Sequence, residues 1–193
     1  MARPRREDDV VIRERQSADD EAISRLNDEA FGGPSESTLI SALRAAGLVV
    51  IELVAIERAA IAGHILFSRL DVTLDERPVR ALALAPMSVA SGRRNSGIGS
   101  ELVRSGLAQA QARDWEAVIV LGHPHYYPRF GFSAALARRL AAPFSGDAFM
   151  ALALRRGALD GRADGWSIRR PSAACPRPRP AGRIAPSPDP TPP

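Results

Sequence analysis

The run Arg94-Asn95-Ser96-Gly97-Ile98-Gly99-Ser100 has the residue types that hold an anion through the backbone. It follows an apolar strand-like segment, Ala81–Val89, and opens into a helical pattern in which Ile98, Leu102, Val103, Gly106, Leu107 and Ala110 form one apolar stripe up to about Arg113. In a strand–loop–helix of this kind the first N–H groups of the helix lack intrahelical partners and sit at the positive end of the dipole. Gly97 and Gly99 allow the backbone an approach that a Cβ would block. The chemistry suits a pyrophosphate.

Which pyrophosphate is narrowed by what is missing. The pattern is not G-x-G-x-x-G, and Asp114 and Glu116 stand before the next strand, where no ribose-binding acid is expected. Lysine is absent from the whole chain, which removes a Walker-type phosphate loop. The loop alone does not choose a ligand. A second group lies one strand later, in Gly122-His123-Pro124-His125-Tyr126-Tyr127-Pro128-Arg129-Phe130-Gly131-Phe132, which holds both tyrosines and two of the three histidines. His123 and His125 are two residues apart with a proline between, poor spacing for a metal pair, so no metal is expected. The lone Cys175 allows neither an internal disulfide nor a cysteine-based zinc site.

The elements that must position these residues read in order. Val10–Arg15 is a first strand. Ser17, followed by Asp19, Asp20 and Glu21, signals a helix start, and the helix runs to Gly32-Gly33-Pro34. Ser35 or Ser37 caps a second helix, stopped by Gly47. Leu48–Glu57 and Ile61–Val72 are β segments whose connection lacks the Asn-Gly or Asp-Gly signature, leaving the register open. Asp75–Pro78 is a turn into the strand before the loop. Ala117–Leu121 is a short continuous apolar run, as in a strand buried on both faces, so strand, helix and strand form a parallel βαβ unit. A last strand is expected at Phe149–Leu154.

Composition bounds the rest. The 193 residues fit one domain, and 45% hydrophobic with 25% charged residues is ordinary for a globular protein. No apolar run reaches the roughly 20 residues of a membrane span, and the first residues are charged, so a cytoplasmic protein with no membrane partner is expected. All 26 basic residues are arginine, and from Arg169 onward five of them face one acid, which accounts for the whole net charge of +4. The part before is balanced, so a nucleic-acid partner is not expected. Nine prolines fall in Pro171–Pro193. That composition cannot bury a core. The expected division is a flexible arm at 1–9, a domain at 10–168 and a Pro/Arg-rich disordered tail at 169–193.

Together the two motifs resemble the GNAT superfamily of acyl-CoA-dependent N-acetyltransferases. Its signature, Gln/Arg-x-x-Gly-x-Gly/Ala at a strand–helix junction, is met by Arg94, Gly97 and Gly99. Its aromatic pair followed by Gly-aromatic is met by Tyr126-Tyr127 and Gly131-Phe132, in a form similar to a YhbS-like subgroup of small bacterial acetyltransferases. The resemblance runs from Val10 to about Leu154. It implies an α/β fold, a mixed and mostly antiparallel sheet with a central splayed parallel pair flanked by helices. It also implies acetyl-CoA as co-substrate, bound by Met87, Ser88 and Val89 along the pantetheine arm and by Arg94, Asn95, Ser96, Gly97, Ile98, Gly99 and Ser100 at the pyrophosphate. Tyr127 falls where the family often has the tyrosine that protonates the departing thiolate. Tyr126 and Phe130 read as packing residues, and His64 as a hydrogen-bonded residue of a β run.

Three positions depart from the family pattern. Asn95 replaces a common glycine but tolerates a left-handed backbone. Ser91-Gly92 replaces a frequent Pro-acid pair and is expected to loosen the loop entry, and His123 stands where an acid is common. Glu52 and Glu57 are both open as a route to a general base, and strand alternation does not choose between them. The expected activity is acetyl transfer to a primary amine by direct attack, in a monomer or homodimer. Two alternatives stand beside it: a non-catalytic acyl-CoA-binding module, and an interaction protein acting through its Pro/Arg tail. The acceptor amine has no sequence code.

Overall fold

A computed structural model describes residues 9–75, 77–138, 140, 146–160 and 167–169; the arm up to residue 8 and the tail from residue 170 lie outside it. Strand β1 (Val11–Glu14) is followed by helices α1 (Asp20–Phe31) and α2 (Ser35–Ala45), then by β2 (Val49–Glu57), β3 (Ala60–Leu74) and β4 (Arg77–Val89). Helix α3 (Ile98–Ala112), β5 (Ala117–Leu121), a short α4 (Ala134–Ala137), β6 (Phe149–Ala153) and β7 (Ser167–Arg169) complete the order. The sheet runs β1-β2-β3-β4-β5-β6, antiparallel throughout except for the parallel β4–β5 pair, and β7 adds to β3 beyond the reach of β2. This is the mixed sheet with a central parallel pair that the sequence predicts. The last described strand includes Arg169, the first residue assigned to the tail.

Period-two alternation sorts the sheet's side chains onto two helix-covered faces. Ile51, Leu53, Ile65, Phe67, Leu82 and Leu84 turn to the α3 side and pack with Leu102, Val103 and Ala110. Val54 and Leu66 turn the other way, onto Ile23 of α1 and Ile40 of α2. Gly106 lets α3 lie flat on β3, since a Cβ there would stand 2.2 Å from the Phe67 ring.

The β2–β3 connection is a two-residue turn, with Glu57 opposite Ala60 and both Arg58 (φ 48°) and Ala59 (φ 61°) left-handed. Neither residue favours that backbone, each at a cost of about 1–2 kcal/mol. The long ladder imposes the turn, which is why the local sequence did not announce it. The helix starts also differ from expectation. Ser17 does not cap: Asp19 accepts the Gln16 N–H at 2.7 Å. Helix α2 has Pro34 at its N-cap, while the Ser37 hydroxyl donates to Asp28 Oδ1 at 2.6 Å and so ties α2 to α1.

Candidate functional site

The two parallel strands part at the middle of the sheet. Their last paired residues are Leu84 and Val120. Beyond this point β4 takes three residues to cover two of β3, between the pairs Phe67–Leu84 and Ile65–Met87. The extra residue forms a bulge at Ala85-Pro86, whose peptide is cis. Met87, Ser88 and Val89 then pair with Ile65, His64 and Gly63 of β3 alone. Along these residues the β5 side of β4 has no strand on it among the described residues, so its backbone donors and acceptors face a notch.

The loop follows at once. Ala90 N–H is anchored on Ala62 O at 2.9 Å, and Ser91–Arg93 makes a single 3₁₀ turn. The Ser91-Gly92 entry lies in this turn, which Arg93 N–H closes on Ala90 O at 2.8 Å. Asn95 has φ 63° and Gly97 φ 91°, so the left-handed conformation that asparagine tolerates is the one it adopts. The Ser96 hydroxyl donates to Arg93 O at 2.6 Å, and the Arg93 guanidinium pairs with Glu57. The first intrahelical bond of α3 runs from Glu101 N–H to Gly97 O at 3.0 Å. The N–H groups of Ile98, Gly99 and Ser100 precede it and have no intrahelical acceptor. Ile98 is buried and pins the helix start, whereas residues 91–97 are exposed. The residues from Met87 to Ser100 that the sequence singled out thus form one continuous ledge.

The aromatic segment closes the other side. Tyr127–Phe130 is a 3₁₀ turn ended by Gly131 at φ 90°. Tyr127 is 6% exposed and packs edge-on against Tyr126 (ring centroids 5.1 Å apart) and Phe132 (5.6 Å). It lies directly on Gly122, where a Cβ would come within 2.3 Å of its ring. Burial, with the neighbouring Tyr126, pushes its hydroxyl above the ordinary phenol value, so it keeps its proton at neutral pH. Tyr126 packs on Phe130 (5.4 Å) under the Arg129 guanidinium (4.8 Å). Its hydroxyl also lies 2.9 Å from where a Cβ on Gly99 would stand, at the first turn of α3. Packing therefore describes only half of Tyr126, whose polar end reaches the ledge, and nothing local in the sequence distinguishes it from Tyr127. His123 and His125 are exposed on the segment before.

The two acids left open as routes to a base are separated by geometry. Glu57 is bound by Arg93 at the loop. Glu52 is buried on the α1–α2 face, where Arg44 Nε and Nη2 donate to it at 3.1 and 2.5 Å and the His64 ring lies 3.0 Å away. Burial raises its carboxyl pKa, but the bonds from His64 and Arg44 outweigh burial and leave it below its ordinary value.

Comparison with known proteins gives a consistent picture. Residues 11–135 match the family described as the acetyltransferase (GNAT) domain. The chain is 30% identical over 155 residues to a protein of Escherichia coli K12 described as the uncharacterized N-acetyltransferase YhbS, covering 79% of this chain and 92% of that one. The crystal structure of E. coli YhbS in complex with CoA superimposes with a TM-score of 0.72 at 29% identity, over 79% of this chain and 86% of that chain. A GNAT family acetyltransferase from Brucella melitensis, in complex with acetyl-CoA, gives 0.64 at 32% identity over 76% and 88%.

Proposed function

The chain belongs to the GNAT acetyltransferase family, and from that premise we propose that it moves an acetyl group from acetyl-CoA to a primary amine by direct attack. The observation that carries this reading is the continuity of the ledge. The open edge of Met87-Ser88-Val89 leads through one loop to the N–H groups of Ile98, Gly99 and Ser100, and the Val89 and Met87 side chains lie 3.5 and 3.7 Å from where a Cβ on Gly99 would stand. A pantetheine arm lies along the first as an added strand, and a pyrophosphate sits on the second with the Ser100 hydroxyl and the backbone of Arg94–Gly97 around it. The thioester then falls in the notch where β4 leaves β5 after Leu84.

Chemistry follows from these positions. The amine nitrogen attacks the thioester carbonyl, and the oxyanion is stabilised by a β4 backbone N–H on the open edge. Collapse expels the CoA thiolate with the C–S electron pair, and Tyr127 gives it a proton. A phenol held above its ordinary value donates less readily but is fully protonated at neutral pH. The relatives solved with CoA and acetyl-CoA support the donor. The loops around Phe31–Ser41 and His123–Arg129 are the ones expected to choose the acceptor amine.

The experiment is CoA release with acetyl-CoA and a panel of polyamines, amino acids and lysine peptides. Tyr127→Phe is expected to lower kcat about 10²–10⁴-fold with acetyl-CoA affinity unchanged. Tight acetyl-CoA binding without turnover on any amine would instead make this chain an acyl-CoA-binding module.

A further inference from the structure

A polar cluster lies buried on the α1–α2 face, behind the strand that borders the notch. It draws Asn27 from α1, Glu52 from β2, His64 from β3 and Ser88 from β4, exposed by 0, 8, 0 and 4% respectively. Asn27 Nδ2 donates to Ile23 O at 2.8 Å and lies 3.2 Å from His64 Nδ1. Because the amide nitrogen must face Ile23 O, it is also the group that meets the imidazole. His64 Nδ1 is therefore the acceptor, and the ring proton sits on Nε2, 3.0 Å from Glu52 Oε1. Arg44 holds Glu52 from α2 and pairs with Asp20 at 3.1 Å.

Two polar atoms of this cluster have no partner: Asn27 Oδ1 and Ser88 Oγ. Ser88 stands directly across the ladder from His64, with its side chain on the same face. Its neighbours Met87 and Val89 border the notch. Buried polar atoms without protein partners are the usual seat of an internal water.

We propose that Ser88 and His64 form the proton outlet of the acyl-transfer site, the Ser88 hydroxyl and a water held on Asn27 Oδ1 carrying the amine's proton to His64 Nδ1. This rests on the acetyl-transfer reading above. As the C–N bond forms, the N–H bond of the attacking amine breaks and its electron pair stays on nitrogen. The proton passes to the water and Ser88, and the hydroxyl proton of Ser88 passes to Nδ1, whose longer contact with Asn27 gives way. The imidazolium faces the Glu52 carboxylate, and its proton returns to solvent by the same path once product leaves. Burial lowers the proton affinity of His64, Glu52 raises it, and Arg44 from α2 and Arg15 from the β1–α1 connection lower it again. The net lowering keeps the ring neutral and able to accept at neutral pH.

Wild-type turnover is the first arm of the test: absence of CoA release with every amine refutes the acetyl-transfer reading, and the outlet with it. With turnover established, Ser88→Ala removes a buried hydroxyl that has no partner, so a merely structural role predicts unchanged or higher thermal stability and unchanged rate. The outlet predicts a fall in kcat/KM of about 100-fold with acetyl-CoA affinity retained. Glu52→Gln withdraws the carboxylate that supports the imidazolium, so the acid limb of the pH–kcat/KM profile should move to lower pH. His64→Gln should abolish that limb; if this variant does not fold, the other two still decide. Full activity in Ser88→Ala, or a Glu52→Gln profile that superimposes on wild type, overturns the proposal.

Discussion

The two faces of β4 at Met87–Val89 are built in opposite ways. On the α3 side the working groups are backbone N–H groups on an exposed loop, steadied by a buried isoleucine and two left-handed residues. On the α1 side they are buried side chains drawn from different elements, with Asn27, His64 and Glu52 joined to one another across α1, β3 and β2. A backbone cradle needs only small residues in the right order and tolerates change at most side chains. A side-chain cluster in low dielectric needs every partner, because each charge left unpaired bears its full desolvation cost. The two faces should therefore fail differently when they are damaged, one in binding and the other in folding.

The largest effect is expected on the buried side. Arg44→Ala leaves Glu52, whose side chain is 6% exposed, facing His64 without the guanidinium that neutralises it. Breaking such a pair should destabilise the protein by about 3 kcal/mol. Urea unfolding measures it, and an unchanged midpoint would mean that the cluster is not a stability unit. On the exposed side, Gly99→Ala puts a Cβ 2.9 Å from the Tyr126 hydroxyl, the far end of a side chain that can give way, and at ordinary contact distance from Val89 and Met87. Its thermal stability should change little, while acetyl-CoA affinity should drop about 100-fold, equivalent to about 2.7 kcal/mol. Titration calorimetry separates the outcomes: an intact affinity with a lowered melting temperature would reverse the contrast between the faces.

The same contrast explains what was legible in the sequence. Arg94, Gly97 and Gly99 lie within six residues at one loop–helix junction, and a local pattern of glycines next to an apolar helical stripe is enough to reveal it. The parallel pair was legible too, because Ala117–Leu121 is apolar at every position. Asn27, Glu52, His64 and Ser88 span four elements, and each alone looks like an ordinary polar residue. Only the register, which puts His64 beside both Val54 and Ser88, brings them together. That register depends on the Arg58-Ala59 turn, which carries no signature in its residue types. Tyr126 packs as its residue type suggests, but the sequence does not show where its hydroxyl points: one residue's rotation at the start of a 3₁₀ turn decides which tyrosine reaches α3 and which lies on Gly122.

The smallest expected effect tests whether the buried cluster stands apart from the α1 anchor beside it. Asp19 accepts both guanidinium nitrogens of Arg13, at 2.6 and 2.8 Å, and the Gln16 N–H. The hydrogen bonds from Arg13 outweigh burial and lower its carboxyl from 3.8 to about 2. A group whose value falls on folding adds stability above its unfolded value, and that stability is lost as pH falls through the folded value. Asp19 thus contributes in full above about 3.8 and nothing below about 2. His64, also lowered on folding, follows the same sign in a different window, opening as pH drops below 6.5. Asp19→Asn should cost about 1 kcal/mol at neutral pH, because its Arg13 partner is partly exposed and screened. The penalty should vanish near pH 2, while the stability loss that begins below pH 6.5 persists unchanged in the variant. Denaturant melts of both proteins across pH 2–8 read the two windows separately. A variant that also lost the upper window would show that the Arg13–Asp19 pair and the His64 cluster act as one network.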